Sequence, residues 1–121
     1  MDYKAISEFN KDFKKLNKKY KTLPKDLDIA KKAAIELFHI NKIDNGSVVA
    51  IPGYCFNSCK SYKMRKFSCM SLRGRGNQTG IRIIYVYHEE SQTVTFIEIY
   101  HKNTKANEDK ERLDNFFKEL E

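Results

Sequence analysis

The chain has 121 residues, 40% of them hydrophobic and 12% aromatic, which suits one domain spanning residues 1–121 and leaves little room for a second. No apolar run approaches the roughly 18 residues of a membrane span. Met1-Asp2-Tyr3-Lys4 lacks the apolar stretch of a signal peptide, so a cytoplasmic chain with no membrane partner is expected. The net charge of +7 is uneven: residues 1–42 hold 11 Lys/Arg against 6 Asp/Glu, residues 43–88 hold 7 against 1, and residues 89–121 hold 5 against 9. A middle third almost free of acid attracts a polyanion.

In chain order, residues 8–21 predict a helix. Phe9, Phe13, Leu16 and Tyr20 fall on one stripe, and Lys11, Lys14, Lys15, Lys18 and Lys19 cover the rest. Thr22-Leu23-Pro24 breaks it, with Thr22 placed to cap and Pro24 suited to a first turn. A second helix is expected from about Pro24 to Ile40, with Leu27, Ala30, Ala34, Leu37 and Phe38 inward. The short connection makes the two a hairpin.

Asn45-Gly46 signals a turn, after which the period changes. Ser47–Ile51 reads as a short strand before Pro52-Gly53. Lys60–Met70 alternates, with Tyr62 and Met64 on one face and Lys63, Arg65 and Phe67 on the other. Residues 73–80, Arg-Gly-Arg-Gly-Asn-Gln-Thr-Gly, form a basic loop. Ile81–His88 and Thr93–Tyr100 read as a hairpin, and Asn107–Leu120 returns to helical spacing. The fold class is α+β: an N-terminal helical hairpin, three or four mostly antiparallel strands, and a C-terminal helix. Helices on one face of the sheet would leave the other open.

The chemistry-bearing residues concentrate on those strands. Lys63 and Arg65 share a face, Arg82 opposes them if the strands pair across the Arg/Gly loop, and Arg73 and Arg75 sit on the loop itself. Arg forks and Lys point charges together suit a phosphate backbone. The plainer reading is a set of solvated strand faces. It is weakened because residues 45–88 contain no Asp or Glu, so partners would have to come from Glu98 or the last helix. His39 ends an apolar helical stretch and reads as structural, and His88 closes a strand at a turn. Three cysteines without an export signal read as reduced thiols; Cys55 and Cys59, which His88 or His101 could join, make only a weak zinc signature, because no second close pair exists. No metal or cofactor is expected.

Several segments in series resemble one family. Phe9-Asn10-Lys11-Asp12-Phe13-Lys14-Lys15-Leu16, Leu23-Pro24-Lys25-Asp26-Leu27, Tyr62-Lys63-Met64-Arg65, Gly80-Ile81-Arg82-Ile83-Ile84-Tyr85, Ile97-Glu98-Ile99-Tyr100-His101-Lys102 and Asn107-Glu108-Asp109 are similar in order and spacing to the RelE/ParE superfamily of toxins. The resemblance implies a compact fold of two N-terminal helices, a curved antiparallel sheet and a C-terminal helix. It also implies a type II toxin with a cognate antitoxin as partner, the toxin being monomeric or held in a hetero-oligomer with it. RelE-like members cut messenger RNA in the ribosome and inhibit translation without metal, leaving 2′,3′-cyclic phosphate ends. ParE-like members inhibit DNA gyrase without catalysis.

On the RelE-like reading, Arg82 matches the essential arginine of the Gly-x-Arg-x-x-Tyr strand, Lys60 and Lys63 fall near the lysines of the preceding strand, and Lys102 follows the last strand beside His101. The catalytic set implied is Arg82, Lys63 and His101, with Lys60, Arg65, Arg73, Arg75 and Lys102 on the RNA phosphates. One departure stands out: residues 103–112 contain no Tyr where RelE-like nucleases often carry one. The alternatives are the gyrase inhibitor, or a domain that only binds antitoxin or nucleic acid.

Overall fold

The computed structural model describes residues 1–72 and 74–121. Its order is β1 (Asp2–Ala5), α1 (Ser7–Lys19), α2 (Leu23–Ala30), a π-helical stretch (Lys31–Glu36), α3 (Leu37–His39), β2 (Val48–Phe56), β3 (Cys59–Met64), β4 (Ile81–His88), β5 (Thr93–His101) and α4 (Lys110–Leu120). The π-helical stretch links α2 to α3 without a break. The strands form one five-stranded sheet in the order β1-β5-β4-β3-β2. Every neighbouring pair is antiparallel except β1 with β5.

The α+β class and the helical hairpin match expectation, and the sheet is larger and mixed. β1 escaped the reading because Asp2-Tyr3-Lys4-Ala5 is too short to show a period and pairs only across the sequence, with Thr93–Phe96. β2 continues past Pro52-Gly53 to Phe56, with a register shift between Ala50 and Cys55. It is the sheet's edge, where a proline need not donate to a neighbour. β3 stops at Met64. The alternation beyond it breaks, so Phe67 joins Met64 in the hairpin-side core instead of lying beside Lys63.

The expectation of an open sheet face is corrected: both faces are covered. On one, Phe9, Tyr20, Leu23, Leu27 and Ile35 pack on Ile81, Ile83, Tyr85, Val94, Phe96 and Ile99. On the other, Leu113 of α4 packs on Ile84, Val86 and Ile97, with Phe116 and Phe117 at the margin. β4 is therefore apolar on both sides, and at ~1.5–3 kcal/mol per buried large side chain the two layers supply the main stabilising term.

Polar ties fix the loops to this frame. The buried Asp26 carboxylate accepts from the Thr22 hydroxyl at 2.7 Å and from the Met70 N–H at 3.2 Å. The Ser71 N–H donates to Thr22 Oγ1 at 2.9 Å. Thr22 thus anchors residues 69–71 and makes no capping bond to its own helix.

His39 is buried, with Nε2 hydrogen-bonded to the Tyr85 hydroxyl at 2.8 Å. Burial, helped by the Lys42 charge, lowers its pKa to about 4. The unfolded chain then binds more protons than the folded one between about pH 6.5 and pH 4, so stability falls as pH drops through that window. Wild type should lose about 3 kcal/mol from this group on going from pH 7 to below pH 4. A His39→Gln variant should lack that component, and the difference in urea midpoint between the two proteins across the window measures it.

Candidate phosphate-binding site

The geometry starts from a β-bulge. Ile84 pairs with Glu98 and Tyr85 with Phe96, leaving Ile97 as the extra residue of β5. The bulge turns both Ile97 and Glu98 to the α4 side of the sheet. Cross-strand pairs share a face, so the α4 side carries two polar rows: Arg82 beside Tyr100, and Lys63, Ile84 and Glu98 in line. Arg65 continues the first row, since Arg82 Nη1 donates to the Arg65 carbonyl at 2.8 Å. The expected pairing of the two strands across the Arg/Gly loop is thereby met.

Arg65, Lys66, Arg82 and Lys102 surround a hollow of about 330 Å³, with Gly80 in its wall. Arg65, Lys66 and Lys102 are exposed and Arg82 is half-buried. Cations lining one hollow, with no acid among its described residues, attract an anion.

Lys63 lies on the same face but is already held. Its ammonium meets the Glu108 carboxylate at 3.3 Å, and both side chains are largely covered, at 18% and 10% exposure. The acid missing from the middle third is supplied by the segment leading into α4. That segment is itself bolted down: Glu98 accepts from the Asp109 N–H at 2.8 Å and pairs with Lys105. Asp109 then caps α4 by accepting from the Arg112 N–H at 3.1 Å.

Tyr100 was not singled out from the sequence. It lies opposite Arg82, and among the described residues its buried hydroxyl has no hydrogen-bond partner. Burial, then the charges of Glu108 and Glu98, push its pKa up to about 12, with Arg82 acting in the other direction. It keeps its proton at neutral pH. Parity within β5 puts Tyr100 on the same face as Glu98, but its place beside Arg82 follows only from the register between β4 and β5.

Other expected residues lie elsewhere. Lys60 pairs with Tyr87, on the hairpin side of the sheet, so the grouping with Lys63 is corrected. His101 pairs with Ile81 and belongs to that side too, so it does not join Arg82. Its Nδ1 accepts from the Asn103 N–H at 3.1 Å, which leaves the proton on Nε2 in the neutral ring. Arg75 is exposed on the loop, outside the hollow's wall. Arg73 lies outside the described residues. The cysteines form no disulfide and, among the described residues, no cluster of three or more His, Cys, Asp or Glu could hold a metal. Nor is any described helix long and apolar enough to cross a membrane.

No family model matches the sequence, and no curated protein sequence does. Among solved structures, the chain is similar to the crystal structure of an archaeal RelE–RelB complex from Pyrococcus horikoshii OT3. The identity is 15% and the TM-score 0.49, over 84% of this chain and 93% of that chain. At that identity and superposition the likeness says nothing of activity, which has to rest on this chain's own residues.

Gly80 sets the wall of the hollow. Its φ is +83°, and a Cβ there would stand 3.0 Å from the His101 ring and 3.2 Å from Lys102 Cγ. Gly80→Ala should destabilise the fold by about 1–3 kcal/mol. Gly76→Ala, also at positive φ but with no neighbour within 4 Å, should cost less. Urea midpoints of the two variants check the ordering.

Proposed function

We propose that the chain is the toxin of a toxin–antitoxin pair and cuts RNA at the Arg82 hollow. The observation that carries this reading is that Arg65, Arg82 and Lys102 line one hollow, with the protonated, buried Tyr100 opposite Arg82 on the next strand and its hydroxyl without a partner among the described residues. The serial resemblance to the RelE-like toxins supports it from the sequence side.

The reaction needs three groups and no metal. The RNA 2′-hydroxyl attacks the adjacent phosphorus, the bond to the 5′ oxygen breaks, and a 2′,3′-cyclic phosphate and a 5′-hydroxyl result. Arg82, with Arg65 and Lys102, neutralises the charge that develops on the phosphoryl oxygens. Glu108, held by Lys63, takes the 2′ proton, and Tyr100 protonates the leaving 5′ oxygen. Tyr100 is buried, with the Lys105 ammonium 5.4 Å over its ring, so on this reading the substrate displaces Lys105 to reach it. The natural substrate is messenger RNA presented by the ribosome, and the partner is an acidic antitoxin wrapping the basic surface.

Mapping of messenger RNA ends after induced expression tests this. Arg82→Ala should lower cleavage about 10²- to 10³-fold. Tyr100→Phe should lower it by about 10² while leaving stability equal or slightly higher, since it removes a buried hydroxyl with no partner. Glu108→Gln should lower cleavage by about 10². Growth arrest with intact messages in wild type, or arrest by Arg82→Ala as strong as wild type, would sink the nuclease. Gyrase inhibition by the purified protein with translation untouched would decide for the ParE-like alternative.

A further inference from the structure

On the opposite side of the sheet the helical hairpin stops short. α3 ends at His39 while β3 and β4 run on to Lys60 and Tyr87, and the gap is a cavity of about 340 Å³. That is within the range of small-ligand pockets. Its walls are aromatic. The His39 ring lies against Tyr87, with centroids 4.0 Å apart and planes 26° apart. Tyr62 meets His39 edge-on at 4.7 Å, and Phe38 meets Tyr62 edge-on at 5.7 Å. His39 is neutral at physiological pH, so this floor is an uncharged π surface. Burial, then the Glu89 charge, push the Tyr62 and Tyr87 hydroxyls up, and both stay protonated donors.

The mouth is polar and charged. Lys42, Lys60 and Glu89 reach it. Among the described residues neither lysine is in an ion pair. The other acid there, Asp44, accepts from the Gly46 N–H at 2.8 Å through Oδ1, which turns that oxygen toward its own loop. Lys42 itself sits at φ +59°, just past the end of α3, where a helix ordinarily uses glycine. A lysine thus occupies a left-handed position at the rim of the cavity.

We propose that this cavity binds a nucleotide. The base lies in the aromatic cradle, an exocyclic amine donates to Glu89, and the phosphate sits between Lys42 and Lys60. A simple anion would have no use for the aromatic walls, and an apolar ligand none for the unpaired lysines. A heteroaromatic ring carrying a phosphate uses both, because every base has a π face and lysine is a mobile point charge for phosphate. The site lies on the face away from Arg82 and does not depend on cleavage there.

Saturation-transfer NMR on the full chain tests it, with the four 5′-mononucleotides, their nucleosides, inorganic phosphate and a trinucleotide as probes. Mononucleotides should show transfer to the base protons. Tyr62→Leu should weaken them about tenfold through lost stacking. Lys42→Gly, which relieves the backbone and so should fold at least as well, should weaken nucleotides about tenfold and leave nucleosides unchanged. Arg82→Ala should leave binding intact, which separates this site from the nuclease reading. A trinucleotide that binds more tightly and is still lost in Tyr62→Leu identifies an RNA strand as the source, whereas equal affinity identifies the free nucleotide. No transfer from any mononucleotide at millimolar concentration overturns the proposal. So does binding that survives both pocket variants, or inorganic phosphate competing as well as a nucleotide.

Discussion

The bulge in β5 is the constraint on which the α4 side of the molecule depends. Without the extra residue at Ile97, strict alternation would send either Ile97 or Glu98 to the hairpin side. With it, Ile97 contributes to the apolar floor under Leu113, and Glu98 stands beside it as a buried acceptor. A buried carboxylate is costly unless its lone pairs are used. Here they are, by the Asp109 N–H and by Lys105. The start of α4 is fixed by that demand, and the fixed start brings Glu108 to Lys63. One inserted residue therefore sets the helix, the ion pair and the cover over Tyr100.

Charge segregation along the sequence becomes charge matching in space. The acidic last third folds back over the basic middle third, giving Lys63 its partner from Glu108, and Arg112 reaches Asp12 at 2.6 Å to tie α4 to α1. What stays unmatched is telling. Arg65, Lys66 and Lys102 remain exposed around the hollow, and Arg82 spends one Nη on a backbone carbonyl. Among the described residues none of the four is in an ion pair, and uncompensated charges of one sign repel. Their grouping makes sense if a polyanion completes the surface.

Much of this was written in the periodicity. The stripe of Phe9, Phe13, Leu16 and Tyr20 marks α1 because its buried side is set by local geometry, and Thr22-Leu23-Pro24 marks the break for the same reason. Even the separation of Lys60 from Lys63 was legible, since three residues of strand send them to opposite faces; only their common charge suggested a group. Face assignment across strands was not legible. β4 and β5 are apolar on both sides, so hydrophobicity gives no parity signal, and the side of Arg82, Tyr100 and His101 follows only from the register and the bulge. β1 and the covering of the second face by α4 depend on contacts between the ends of the chain, which no local pattern reports.

The sheet thus separates two chemistries by one step of strand parity. Arg82 and Tyr100 face α4, where the cover is polar and held by two carboxylate–lysine pairs. Tyr62, Tyr87 and Lys60 face the other way, where the cover is an aromatic helix end. Tyr85, between Ile84 and Val86, belongs to the second: its ring fills the hairpin-side core and its hydroxyl fixes His39. That bond holds the neutral imidazole flat against Tyr87, so the shape of the aromatic cavity is set from within the core and not from its rim.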